Sequence, residues 1–130
     1  MKMTAEQCNG GQSVMSLMEE LSSLGVDTED GVARLMGNSG LYERMLKKFP
    51  QAVKDSPVLE YAQSEDYETA ASNAHAIKGV AGNLSLTPLY EKYTRIVDLY
   101  RESHFSKANA LLTEALELQK KIVDVIEKYI

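Results

Sequence analysis

The apolar residues of this chain recur at intervals of three and four and seldom at two. That spacing follows the turn of an α-helix, about 3.6 residues, rather than the two-residue pleat of a strand. Only three of the 130 residues are proline, so little interrupts the pattern. The expectation is an all-α fold, and the breaks in the pattern say where its helices end.

From about Ser13 to Leu24, the residues Val14, Leu17, Met18, Leu21 and Leu24 form one apolar stripe, stopped by Gly25. Asp27 or Thr28 can cap a short second helix that turns Val32, Leu35 and Met36 inward. After the breaker "GNSG" (37–40), Ser39 can cap a longer helix carrying Leu41, Met45, Leu46, Phe49, Val53, Val58, Leu59 and Tyr61. Pro50 and Pro57 fall inside it, which predicts a kink or two joined helices. "SED" (64–66) starts the next helix, ending near Ser85 or Leu86. "TP" (87–88) reads as a cap followed by proline at the first helical position, and its helix runs to about Ser103. "SHFS" turns the chain into a last helix from about Lys107 to Tyr129. Long helices joined by short loops predict an antiparallel four-helix bundle over residues 25–130, with one or two short helices in front. Residues 1–24 form an N-terminal segment with an extra helix. The breaks come too often for an extended coiled coil.

The length suits one domain with a single core. A net charge of −5 argues against nucleic acid, whose binding surfaces are basic. Cys8, the only cysteine, allows neither an internal disulfide nor a four-cysteine zinc site. The opening "MKMTAEQCNGGQ" has no apolar core of a signal peptide, and no apolar run reaches the ~20 residues of a membrane span. A cytoplasmic monomer, with no membrane contact, is expected.

The chemistry concentrates in "ASNAHAIKGVAGNLSL" (71–86). At about 100° per residue, Ala70, Ala74, Ile77, Ala81 and Leu84 share one side, the expected core face. His75, Lys78, Gly79 and Gly82 cluster on the other, with Glu68 and Ala71 one or two turns before. Each glycine should cost about 0.5–1 kcal/mol relative to alanine in a helix interior, and the apolar pattern continues past both. Two such weaknesses beside one imidazole suggest that something approaches this face closely. A histidine of ordinary pKa, about 6.5, is largely neutral and nucleophilic near neutral pH. Lys78, one turn on, can neutralise a phosphoryl group carried by the ring. No other histidine, cysteine or carboxylate motif accompanies it to suggest a metal, and His104 reads as a loop residue.

"AHAIKGVAGNLSL" resembles the signature of histidine-containing phosphotransfer (HPt) domains: Ala-His, an apolar residue, Lys-Gly, a small stretch and an apolar helix end. "GVDTEDGVARLMGNSGLYERMLKKF" and "SEDYETAASNAH" resemble that family's lead-in, so the likeness spans roughly residues 25–127. It implies a phosphorelay carrier. His75 would accept a phosphoryl group from an aspartyl phosphate on a response-regulator receiver domain, through Nε2, and pass it to another receiver. It implies no cofactor of the chain's own, since the Mg²⁺ and acidic pocket belong to the partner, and it admits a hybrid histidine kinase as a further partner. The chain shows no ATP-binding glycine motif, so kinase activity of its own is not expected.

The chain departs from that pattern at two positions. The family often places Gln or Glu twenty-two residues after the histidine to hold the ring's other nitrogen. Here that position is Val97, with Thr94 one turn earlier as the candidate substitute. Ser85 stands where the family often has glycine. Tyr90, Tyr93 and Val97 share a stripe on their helix, which either widens the core or forms an apolar rim on which a receiver docks. A helical adaptor that binds a receiver or histidine kinase without transferring phosphate is the alternative function.

Overall fold

The structure, a computed structural model, describes residues 10–130, with side chains from residue 16 onward. Cys8, the first nine residues of the N-terminal segment and the Val14 side chain lie outside the described residues. The described residues form eight α-helices and no strand: α1 (Gly10–Ser23), α2 (Thr28–Ala33), α3 (Ser39–Leu46), α4 (Phe49–Asp55), α5 (Leu59–Gln63), α6 (Tyr67–Asn83), α7 (Thr87–Arg101) and α8 (Phe105–Glu127).

The expected helix over residues 39–63 is three helices, not one kinked helix or two. Pro50 sits in the first turn of α4, where its missing N–H costs nothing, and Pro57 lies between α4 and α5. Two caps differ from expectation as well. Asn38, rather than Ser39, caps α3, its side chain accepting from Leu41 N at 2.9 Å. Leu86 precedes α7 without a side-chain cap, and Thr87 is the helix's first residue. Asp27 caps α2 and Asp66 caps α6, each accepting from the backbone N–H three residues on.

Three turns share one construction. Glu65, Ser85 and Ser103 adopt φ of 63°, 57° and 64°, each one residue before the next helix's N-cap. In each, the N-cap N–H returns to a carbonyl of the helix just ended: Asp66 to Tyr61, Leu86 to Ala81, His104 to Leu99, at 2.8–2.9 Å. A left-handed residue closes the helix and reverses the chain within three residues, although none of the three is glycine. α5, α6, α7 and α8 follow one another through these turns.

The core joins every layer. Leu17 and Leu21 of α1, Tyr42 and Leu46 of α3, Ala74 and Ala81 of α6, Tyr93 and Ile96 of α7, and Leu112 and Ile122 of α8 are all buried. α6 packs most extensively on α7, and α7 on α8. Alanines at 70, 71, 74 and 81 keep the buried face of α6 shallow, so α7 can lie close against it. α1 packs on α8, and Glu20 bonds to both the Lys128 Nζ and the Tyr129 hydroxyl. The N-terminal helix therefore shares the common core.

Candidate functional site

The wheel drawn from sequence matches the burial of α6. Ala70, Ala74, Ile77 and Ala81 are buried, as is Leu84 just past the helix end. His75 and Gly79 are exposed, while Lys78 and Gly82 are half-buried. No described residue holds the His75 ring by a hydrogen bond or an ion pair, and Lys78 has no ion pair among the described residues. An imidazole so placed leaves its ring nitrogens open to whatever docks on this face.

The two glycines have different surroundings. A Cβ on Gly79 would meet nothing within 4 Å. A Cβ on Gly82 would lie 3.0 and 3.1 Å from two carbons of the Tyr90 ring. Gly82 thus has an internal packing reason, and Gly79 has none inside the chain. Both line a cleft of about 500 Å³ shared with Lys78, Tyr90, Asp30 and Arg34.

The far end of this cleft is built by the N-terminal helices holding the end of α6. Arg34 Nη1 donates to the Gly82 carbonyl at 3.3 Å, the Tyr42 hydroxyl to the Leu84 carbonyl at 2.7 Å, and Asp27 N to the Ser85 carbonyl at 3.0 Å. These are among the last carbonyls of α6 and its turn, and the Gly82 carbonyl also accepts from Ser85 N at 3.2 Å. Ser85 Oγ donates to Asp30 Oδ2 at 2.7 Å, and Arg34 Nε donates to the same oxygen at 2.9 Å. The Ser85 hydroxyl, followed by the Arg34 guanidinium, holds the Asp30 carboxyl below its usual pKa. A serine here adopts the left-handed backbone that favours glycine, and its hydroxyl makes a bond glycine cannot.

Of the two readings of the Tyr90, Tyr93 and Val97 stripe, a wider core face fits Tyr93 and Val97. Tyr93 is 0% and Val97 2% exposed; only Tyr90, at 39%, reaches the surface. The Tyr93 hydroxyl donates to Gln119 Oε1 at 2.5 Å, and burial raises its pKa well above the ordinary range. α7 packs on both α6 and α8, so its core face is wide enough to absorb Tyr93 and Val97. Ala71, also assigned to docking, is buried at the floor of a second cleft of about 470 Å³ with Glu68, Ser72 and Arg101. No hydrogen bond joins Thr94 to the ring either; its hydroxyl donates to the Tyr90 carbonyl at 2.8 Å.

Asp30 and Arg34 escaped sequence reasoning. Their spacing of four marks a helix-surface pair, but nothing local shows that α2 abuts the end of α6. His104 is the exposed residue before α8, 3.9 Å from Glu102. Among the described residues, no three His, Cys, Asp or Glu side chains are placed to hold a metal ion, and no helix is long and apolar enough to cross a membrane. Comparison with family models, with curated proteins and with solved structures gave no match to this chain.

Proposed function

We propose that this chain is a phosphorelay carrier built as an HPt-like helical bundle, with α6, α7 and α8 among its long helices and His75 as phosphoacceptor. One observation carries the reading: an unpartnered, exposed His75 lies one turn from Lys78 and from Gly79, whose missing side chain has no internal reason. A helix that forgoes about 0.5–1 kcal/mol beside an accessible nucleophile is shaped for a visitor.

In the proposed step, the His75 Nε2 lone pair attacks the phosphorus of an aspartyl phosphate on a receiver domain. The N–P bond forms as the P–O bond to the aspartate breaks, and the carboxylate leaves with its electron pair. Lys78 offsets the charge of the phosphoryl group on the ring. The partner's own Mg²⁺ and acidic pocket supply most of the stabilisation of the transferring group. The reverse step onto a second receiver returns His75 to its neutral form. The carrier has no kinase activity of its own.

The non-transferring adaptor is kept as a second reading because no described side chain orients the imidazole. Mixing the protein with a phosphorylated receiver domain separates the two. A carrier takes up acid-labile phosphate on His75, whereas an adaptor binds the receiver and stays unlabelled.

A further inference from the structure

The geometry points to a carboxylate-binding subsite at Arg34, at the end of the cleft beyond Gly82, that takes an acidic side chain of the docking receiver domain. The receiver's identity rests on the phosphorelay reading; the chemistry of the subsite comes from Arg34 itself.

Exposed arginines usually sample many rotamers, and a partner must freeze them on binding. Arg34 is held at two points. Nε is bonded to Asp30 and Nη1 to the Gly82 carbonyl, yet the side chain remains 55% exposed. Of the five guanidinium N–H groups only one on Nε and one on Nη1 are used among the described residues, so three remain along the Nη1–Nη2 edge. Ser85 braces the arrangement by holding the same Asp30 oxygen that Arg34 uses.

The charge balance favours an anion. The cleft's ionic lining is Lys78, Arg34 and Asp30, two cations against one carboxylate, on a chain of net charge −5. The Nη1–Nη2 edge left free is one that grips a carboxylate at two points. The phosphoryl group itself belongs at His75, seven residues and about 10 Å along the helix from Gly82. Between the two points, the bare surface at Gly79 and the exposed edge of Tyr90 leave room for the stem of the partner's side chain.

Arg34 is thus a partner-specificity residue, and its signature is in KM. The test loads His75 with phosphate from phosphoramidate, a small donor, and follows transfer to a panel of purified receiver domains. For a receiver that accepts, R34Q should raise KM about fivefold or more with kcat within about twofold, and R34K should recover part of the loss. Raising NaCl from about 50 to about 300 mM should raise the parent's KM and barely move that of R34Q. In the unmutated protein, the Arg34 Nε–Hε NMR resonance should shift when the unphosphorylated receiver is added, a readout free of any folding effect. A KM for R34Q within about twofold of the parent, or a resonance that stays in place at saturation, overturns the subsite and leaves the relay standing. If His75 takes no phosphate, or no receiver accepts it from the parent, the relay reading falls and the subsite with it.

Discussion

Gly82 packs beneath the Tyr90 ring, with the position of a Cβ only 3.0 Å from the nearest ring carbon, while one turn earlier Gly79 faces open space. Two glycines that look alike in sequence therefore have separate reasons. One accommodates a neighbour within the chain, and the other leaves the surface beside His75 bare.

Alanine substitution should separate them. Gly79→Ala should stabilise the protein by about 0.5–1 kcal/mol, because helix propensity is gained and nothing is displaced. Gly82→Ala should gain less, since the Tyr90 ring must shift by a few tenths of an ångström to admit the methyl. Urea denaturation of both variants measures the difference, and equal stabilisation would remove the packing role of Gly82. Gly79→Leu should block phosphotransfer while leaving the fold intact.

The turn after α6 yields a second pair of outcomes. Ser85→Ala keeps the strained backbone and loses the bond to Asp30, which should cost about 1–2 kcal/mol. Ser85→Gly loses the same bond but relieves a left-handed strain of about 1 kcal/mol, so it should be close to neutral. Thermal melts rank the two. Alanine as stable as the parent serine would show that the Ser85–Asp30 bond contributes nothing, and alanine as stable as glycine would remove the strain.

Gly31 is buried where α2 packs on Tyr42 of α3. Its Cβ would lie 2.4 Å from the ring of Tyr42, which is fully buried and bonded to the Leu84 carbonyl. Gly31→Ala should therefore destabilise by about 1–3 kcal/mol, as overpacking does, and it should disturb the end of the His75 helix. Hydrogen exchange at Leu84 to Leu86 would report that disturbance. Unchanged protection there would contradict that expectation.

The helix periods were legible in the sequence because they follow from burial of one face. The stops were less so. Glu65, Ser85 and Ser103 take the left-handed backbone without being glycine, so α6 and α7 end two or three residues before the apolar pattern suggests. The core face of α6 could be drawn because its apolar residues repeat at helical spacing, whereas Ala71, drawn with the His75 face, is buried too. Tyr93 and Val97 could not be assigned, since a helix packed on two neighbours buries a wider arc than a single stripe. Arg34 was hidden for a different reason: its role depends on a tertiary contact across 48 positions of sequence.

Acid should loosen the tie between α1 and α8. Hydrogen bonds from Lys128 and Tyr129 hold the Glu20 carboxyl below its ordinary value of 4.5. The depressed pKa means that Glu20 contributes stability above about pH 4.5 and loses it as pH falls through the folded-state value. Burial, and then the Glu20 bond, push the Tyr129 phenol up to about 12. Glu20→Gln should lower the melting temperature modestly at pH 7 and flatten its decline between about pH 5 and about pH 3. The effect is modest because the Lys128 side chain is 58% exposed. A parent and variant with parallel pH profiles would refute the linkage.

The most direct test of the central claim is to incubate the protein with a ³²P-phosphorylated receiver domain and measure label on the parent and on His75→Ala. The account predicts acid-labile phosphate on the parent, appearing as the receiver loses it, and none on the variant. Label on His75→Ala equal to that on the parent, or no label on the parent despite stable receiver binding, would contradict it.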